Sequence, residues 1–302
     1  MAEVTYRQGS PADSRQACRV LHLSIRDMTR RLGLSNDPAE EDEATVVEAW
    51  EKLRALYDHL AESCERFVIA ELRGEMIGYA RSILRAGTRE LTEFFVLPGR
   101  QSAGVGRTLL DAVFPTTGAQ RRAIIATYDI RAQARYLKTG VYPRFPIVNF
   151  SRAPRSNLSG GSQLEFAEIR GTQEDLDALG KIDRAVLGYT RDIDHRYWQK
   201  NRRGFFVAYQ GELAGYGYTG YDGGPVALLE ENNYPEVLAY AESQAAEMAD
   251  RFHIEVPMVN RAAVDWLLQN GYGMSSFFAL FMSDTAWGKF ENYILPAPPF
   301  SL

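Results

Sequence analysis

A glycine-containing turn in the first half of the chain has the residue types and spacing of an anion-binding loop. An apolar run over residues 91–97 ends at Pro98, and the motif Gln101-x-x-Gly104-x-Gly106 follows just before helix-forming residues. Glycines allow the backbone to approach a ligand, so that several N–H groups can point at one anion. The start of a helix adds unpaired N–H groups and the positive end of its dipole. The segment therefore predicts a phosphate-binding turn between a strand and a helix.

The spacing of the glycines excludes two common phosphate-binding motifs. The segment contains neither Gly-x-x-x-x-Gly-Lys-Ser/Thr of nucleotide loops nor Gly-x-Gly-x-x-Gly of dinucleotide loops. A strand–turn–helix connection without a ligand is the alternative for a bare pair of glycines. The apolar residues Phe94, Phe95 and Val96, placed before Pro98, favour the binding loop.

Two carboxylates on the strand before this turn are candidates for a general base. Glu90 and Glu93 precede the apolar end of the strand. A carboxylate in an apolar cleft can have a raised pKa and accept a proton directly or through water. Strand alternation predicts that the two side chains lie on opposite faces and do not share one role. A paired or exposed strand carboxylate is the alternative for each.

The length and composition of the chain limit the kinds of protein that it can be. The 302 residues, 45% hydrophobic and 24% charged, predict a globular protein of two domains. No run approaches the ~18 apolar residues of a membrane span, and the first residues lack an apolar signal core. Cys18 and Cys64 are expected to be free thiols, which indicates a cytoplasmic location. The histidines show no ligand spacing, so no metal is expected.

Charge is unevenly divided along the chain. The net charge is −5, but residues 1–163 are net positive and residues 164–302 are net negative. A basic first half suits a polyanionic ligand. The sequence has no basic run, zinc-ligand spacing or aromatic RNA-binding motif. We therefore expect no nucleic-acid partner, and no membrane partner either.

The chain follows one plan twice, before and after residues 151–163. This segment is small, polar and poor in apolar residues, which is typical of a linker. Each half contains two apolar runs joined by a short turn, at Gly74 and at Gly211, which is the pattern of a β-hairpin. Repetition at half the chain length predicts a duplicated domain, with a first domain over residues 1–150 and a second over residues 164–302.

The final predicted helix of each half carries the same spaced motif. The two versions are Asp129-x-x-Ala132-x-x-x-Tyr136-x-x-x-Gly140 and Asn260-x-x-Ala263-x-x-x-Leu267-x-x-x-Gly271. With the glycine turn and both motifs, the whole chain resembles a tandem protein of the GNAT superfamily of acyl-CoA N-acyltransferases. The resemblance implies an α/β (α+β) fold of two GNAT-like domains. Each would have a mixed, mostly antiparallel twisted sheet flanked by helices.

The resemblance also implies roles for individual residues. Backbone groups at the splayed end of the fourth strand, here Phe94, Phe95 and Val96, would bind the thioester carbonyl and the pantetheine. The turn that would hold the diphosphate consists of Gln101, Ser102, Ala103, Gly104, Val105, Gly106 and Arg107. Asp129 stands where the family has an Asn that contacts the pantetheine arm or the acceptor. Tyr136 matches the family's general acid, which protonates the CoA thiolate.

The two halves differ where this chemistry would lie. The second half has Leu267 in place of the tyrosine, and Glu230 and Glu231 stand where the glycine turn would be. Carboxylates there would repel a diphosphate. We therefore expect acyl-CoA to bind the first half. The second half would be a degenerate copy with a structural role or a role in the acceptor pocket.

The resemblance implies an N-acetyltransferase that moves an acetyl group from acetyl-CoA, a co-substrate, to a primary amine of a small molecule by direct attack. Glu90 matches the base position of some histone-type members. The base is open among Glu90, Glu93, the C-terminal carboxylate and none. A non-catalytic acyl-CoA sensor or scaffold is the alternative. A duplicated acyltransferase with its site in the second half, or an aminoacyl-tRNA-dependent transferase, fits the sequence less well. The acceptor, the acyl chain length and the choice of monomer or homodimer are left open.

Overall fold

The computed structural model describes residues 3–35, 43–101, 104–156 and 163–299. The chain divides into two compact units. The first consists of Met1–Ile124 and Asp129–Val141, and the second of Ile125–Tyr128 and Tyr142–Leu302. The described residues form helices and mostly antiparallel strands, which confirms the predicted fold class.

The first unit contains the predicted hairpin, strand–turn–helix segment and final helix of the first half. Its elements are β1 (Val4–Gln8), α1 (Ser14–Arg31), α2 (Glu43–Ser63), β2 (Arg66–Leu72), β3 (Glu75–Arg85), β4 (Thr88–Val96), α3 (Val105–Val113), β5 (Arg121–Thr127) and α4 (Ile130–Lys138). The strands lie in the order β1-β2-β3-β4-β5. Pairing is antiparallel from β1 to β4 and parallel between β4 and β5. The last residues of β5 belong to the second unit.

The pairing of β4 is irregular at its centre, and this positions the predicted site. On the β3 side, Arg81 pairs with Glu93 and Ser82 with Leu91, so Thr92 is one additional residue, a β-bulge. On the β5 side, parallel pairing ends at Leu91 and Ile124. The second part of β4 therefore diverges from its parallel neighbour at the bulge.

The second unit begins with β6 (Tyr142–Arg152), inside the residues predicted as the first domain. Its other elements are β7 (Leu164–Glu168), α5 (Gln173–Val186), α6 (Asp192–Asn201), β8 (Arg203–Tyr209), β9 (Glu212–Thr219), β10 (Val226–Leu228), α7 (Tyr234–Ala245), β11 (Phe252–Pro257), α8 (Arg261–Gln269), β12 (Gly273–Ser283) and β13 (Tyr293–Ile294). β6 pairs with β11 and with β12, which is why it belongs to this unit. Residues 157–162 of the predicted linker lie outside the described residues.

A second sheet of this unit contains the predicted hairpin of the second half. Its strands lie in the order β13-β10-β9-β8-β7, all antiparallel. The apolar core packs β10 and β11 against α7 and α8 and includes Leu238, Ile254 and Leu267. Among the described helices of the whole chain, none combines the length and apolarity needed to cross a membrane.

Candidate functional site

The end of β4 separates two aromatic side chains onto opposite faces of the sheet. Phe94 lies in edge contact with Tyr136 of α4, with ring centroids 6.1 Å apart. Phe95 contacts Tyr79 of β3 on the other face, at 6.0 Å. Consecutive strand residues lie on opposite faces, and the bulge at Thr92 decides which face each of the two takes.

A tight turn connects β4 to α3. The Arg100 N–H donates to the Leu97 carbonyl at 3.1 Å, and Gly99 has a φ of +75°, a conformation that L side chains rarely adopt. The Gln101 side chain donates from Nε2 to the Val96 carbonyl at 3.1 Å. Gln101 therefore closes the turn onto the end of β4.

Helix α3 begins with its first N–H groups uncapped by any side chain among the described residues. Gly104 is the N-cap residue and has a φ of +84°. The first N–H groups of a helix have no intrahelical acceptor, and they lie at the positive end of the dipole. Ser102 and Ala103 lie outside the described residues. The start of α3 thus has the properties of an anion site.

The packing at Gly106 leaves little room for a side chain. A Cβ at this position would lie 3.1 Å from Phe94 Cζ and 3.6 Å from Arg135 Cζ. Gly106 therefore allows the Phe94 ring and the Arg135 guanidinium to approach the first turn of α3. Phe94 contacts both this turn and Tyr136, so the ring joins the start of α3 to the tyrosine.

Tyr136 is nearly fully buried in α4, with 6% of its surface exposed. Burial raises the pKa of its hydroxyl, the nearby Asp129 carboxylate raises it further, and Arg135 acts in the opposite direction. Tyr136 therefore keeps its proton at neutral pH. A protonated phenol in this position can donate a proton or a hydrogen bond to a leaving group.

Asp129 is the N-cap of α4 and carries a charge pair. Its Oδ1 accepts from the Arg131 N–H at 2.9 Å, and its Oδ2 lies 2.9 Å from Arg31 Nη2. Burial acts to raise the pKa of Asp129, but the two arginines and the Arg131 N–H outweigh it, and the pKa is lowered. The ionised carboxylate thus begins the helix that positions Tyr136.

Glu93 is fully buried and paired. Its Oε2 lies 3.2 Å from Arg81 Nε, with neither side chain exposed, and its Oε1 accepts from the Tyr79 hydroxyl at 2.8 Å. The Tyr79 hydroxyl is also 2.9 Å from the Tyr57 hydroxyl of α2. These contacts hold Glu93 in the buried interior of the first unit.

Residues 27–141, which include the turn, Asp129 and Tyr136, match the model of the acetyltransferase (GNAT) family. The chain contains a GNAT domain. The β4 bulge, the glycine turn and the buried tyrosine all lie within it.

Three solved structures share the fold of nearly the whole chain. One is a protein from Pyrococcus horikoshii assigned as an acetyltransferase, with a TM-score of 0.70, 13% identity, and 96% of this chain and 92% of that chain covered. A GCN5-related N-acetyltransferase from Sphaerobacter thermophilus has a TM-score of 0.55, 13% identity, and coverages of 93% and 95%. A tandem GNAT protein from the clavulanic acid biosynthesis pathway has a TM-score of 0.53, 11% identity, and coverages of 93% and 98%. Among curated proteins, none matches the sequence.

The structure corrects the predicted placement of the two glutamates of the GNAT domain. Glu90 pairs with Ile83 and Glu93 with Arg81, and these two β3 residues lie on one face, so the two glutamates share that face. The prediction of opposite faces was wrong, because it assumed regular alternation and the bulge at Thr92 adds one residue. Glu90 is 3% exposed.

One further side chain of the GNAT domain lies at the start of α3. The Arg135 guanidinium lies close to Gly106, whereas the side chains of Arg100 and Arg107, which flank the same turn, are exposed. The sequence signal for Arg135 is its position directly before Tyr136, on the helix that closes the motif. Only the packing at Gly106 shows where its charge lies.

The second repeat lacks the features that distinguish this GNAT domain. Asn260 caps α8 by accepting from the Ala263 N–H at 3.1 Å, as Asp129 caps α4, but the buried Leu267 provides no hydroxyl. Between β10 and α7 a short 3₁₀ helix over Glu231–Asn233 stands where the first repeat has its glycine turn.

Proposed function

We propose that this protein is an acyl-CoA-dependent N-acyltransferase that transfers an acetyl group from acetyl-CoA to a primary amine of a small molecule. The observation that carries the proposal is the position of the Phe94 ring, in contact with both Gly106 at the start of α3 and Tyr136. An anion site and a buried acid therefore meet at one strand end. The match of residues 27–141 to the GNAT family supports this assignment.

The proposed acyl-CoA contacts follow from the local geometry. The diphosphate would take N–H groups between Gln101 and Gly106, where the helix dipole favours an anion, because the Arg107 N–H already donates to the Gly104 carbonyl. The Arg135 guanidinium adds positive charge beside Gly106. Backbone groups of residues 94–96 would meet the pantetheine and the thioester carbonyl, because β4 is no longer paired with β5 beyond Leu91.

The proposed reaction is a direct displacement. A free alkyl ammonium has a pKa near ~10, so the acceptor first loses a proton to become a nucleophile. Its nitrogen then forms a bond to the thioester carbonyl carbon, the C–S bond breaks, and the nitrogen releases its second proton to the solvent. Tyr136 donates its proton to the leaving sulfur as the general acid. The base stays open among Glu90, Glu93 and no side chain of the protein at all, and both carboxylates are buried.

An amine panel tests the proposal directly. Purified protein is incubated with acetyl-CoA and primary amines of different charge and size, and the release of free thiol is followed with time. We expect thiol release that depends on one class of amine and yields the N-acetyl product by mass spectrometry. Binding of acetyl-CoA without turnover on any amine would contradict the enzyme assignment.

One observation favours a second candidate, an acyl-CoA-binding sensor or scaffold. Glu93, a candidate base, is locked in its pair with Arg81. A domain with an acyl-CoA site and no base for its acceptor would bind the thioester without consuming it. In that case acyl-CoA should bind with similar affinity to wild type and to a variant without the Tyr136 hydroxyl, and neither should release thiol.

A further inference from the structure

A buried ion pair frames the bulge of β4. Arg81 and Glu93 are cross-strand partners, with Arg81 Nε 3.2 Å from Glu93 Oε2. The next pair along the ladder joins Ser82 to Leu91, so the register changes directly beside the ion pair. The hydroxyl of the additional residue, Thr92, donates to the Arg81 carbonyl at 3.2 Å. Arg81 therefore contacts both the additional residue, Thr92, through its carbonyl, and the next residue, Glu93, through its side chain.

The position of the additional residue decides which face each later side chain takes. With the bulge at Thr92, Phe94 faces Tyr136 and Phe95 faces Tyr79. Without the bulge, every residue after Leu91 would exchange faces, because side chains alternate along a strand. Phe94 would then leave the start of α3. The geometry of the proposed site thus depends on the β-bulge at Thr92, where the pairing of β4 with β3 shifts by one residue.

The ion pair opposes such an exchange. If Glu93 moved to the other face, Arg81 would be left as a buried charge without its carboxylate, which is strongly unfavourable. Both partners are also anchored elsewhere: the Tyr79 hydroxyl donates to Glu93, and Arg81 Nη1 donates to the Tyr57 carbonyl at 3.2 Å. The Arg81 guanidinium lies 4.2 Å from the centroid of the Phe67 ring.

We propose that Arg81 and Glu93 are positioning residues for acyl transfer, whose ion pair holds the bulge at Thr92 and so places Phe94 against Tyr136. This inference rests on the proposed function for its catalytic readout, whereas the state of the bulge can be measured without activity. It gives Glu93 a role that acts through the strand and requires no contact with the acceptor.

The test compares two double variants that each remove one ion pair. Arg81→Met with Glu93→Leu removes the pair at the bulge. Arg89→Met with Glu65→Leu is the matched control. Arg89 lies on the part of β4 before the bulge and is also buried, and its Nη2 lies 2.6 Å from Glu65 Oε1. For each we measure kcat, acyl-CoA affinity, thermal stability and hydrogen exchange over residues 92–97. Glu93→Gln, which keeps an acceptor for Tyr79, serves if the bulge variant does not fold.

The bulge variant is expected to lose about tenfold to a hundredfold in kcat, the order of effect of misplaced reacting groups, with acyl-CoA affinity largely kept. Exchange over residues 92–97 should become faster in this variant alone. Equal losses of kcat in both variants, or unchanged kcat and exchange in the bulge variant, would refute the positioning role. If the wild type acetylates no amine, the proposed function fails, and the exchange comparison still decides whether the pair holds the bulge.

Discussion

Tyr136 is the side chain on which the proposed chemistry depends most directly. Tyr136→Phe keeps the ring and its edge contact with Phe94, but removes the acidic proton. We expect kcat to fall about 10²–10⁴-fold, the usual contribution of a positioned acid, while the dissociation constant for acetyl-CoA changes little. Steady-state thiol release and equilibrium binding measure the two quantities separately.

The control for this substitution is Tyr142→Phe, which removes a hydroxyl from a tyrosine that is 55% exposed. It should leave kcat and binding unchanged. Because the pKa of Tyr136 is raised above 10.0, loss of its proton should not reduce the wild-type rate below about pH 10. If the Tyr136→Phe variant keeps the kcat of the wild type, Tyr136 is not the general acid.

Gly106 tests whether the start of α3 binds the diphosphate. A side chain here would meet Phe94 and Arg135 at the distances described above, so Gly106→Val should displace both and cover the first N–H groups. We expect at least about a tenfold loss of acetyl-CoA affinity, since each 1.4 kcal/mol is tenfold. Binding of pantetheine, which lacks the diphosphate, should be affected less. Isothermal titration calorimetry measures both ligands.

The matched control is Gly220→Ala in the second unit, where a Cβ would meet nothing closer than 3.8 Å. This variant should bind acetyl-CoA like the wild type. Equal loss of acetyl-CoA and pantetheine affinity in Gly106→Val would show that the turn does not contact the diphosphate.

Among helices and strands, the start of α4 links stability to the placement of Tyr136. Asp129→Ala removes both the N-cap acceptor for Arg131 and the charge pair with Arg31. Loss of an N-cap costs about 1 kcal/mol, so we expect the free energy of unfolding to fall by about 1–2 kcal/mol. Asp129→Asn, which keeps a capping oxygen, should lose less. Urea denaturation at pH 7 measures both.

The pH dependence provides an independent check on Asp129. Its pKa is lowered in the folded protein, so its ion pair stabilises the fold at pH values above the unfolded pKa and the benefit is lost as the pH falls through the folded pKa. The difference between wild type and Asp129→Asn should therefore shrink below pH 4, near the ordinary value of 3.8. A difference that stays constant down to pH 3 would contradict the role of the charge pair.

Helices, strands and turns that follow from short sequence patterns could be predicted, whereas features that depend on contacts between residues far apart in the chain could not. The hairpins at Gly74 and Gly211, the turn before α3 and the final helix of each half follow from local patterns, and the structure confirms them. The bulge carries no such signal, because no Gly or Pro stands near Thr92 on β4. It depends on the burial of Arg81 and Glu93, which only the folded sheet shows. α6 was not predicted either, since its sequence, Asp192–Asn201, is rich in weak helix formers.

At the scale of the whole chain, the sequence indicates the duplication, but it does not indicate where the two compact units of the structure divide. The motifs ending in Gly140 and Gly271 indicate two repeats, and both halves contain the expected hairpin and final helix. β6 directly follows the final helix of the first repeat, yet it pairs with β11 and β12, whose paired residues lie 100 to 141 positions further along the chain. Local periodicity does not specify the partner of a strand over such a separation.

Glu255 of β11 predicts how the stability of the fold depends on pH. Burial raises the pKa of this carboxyl from 4.5 to about 7, although Asn149 donates to it at 3.0 Å, and Asp222 raises the pKa further. The native state therefore binds a proton more tightly than the unfolded chain does. Stability from this group is fully present below pH 4.5 and is lost as the pH rises to about 7.

Glu255→Gln should remove this dependence, because an amide carries no charge into the buried site. We expect the variant to gain about 1–3 kcal/mol in unfolding free energy relative to wild type between pH 5 and pH 8. The measurement is urea denaturation at both pH values, with the exposed Glu230→Gln as a control that should follow the wild type. If wild type and Glu255→Gln lose stability in parallel over this range, the folded-state pKa of Glu255 is not raised to about 7, and the dependence belongs to another group.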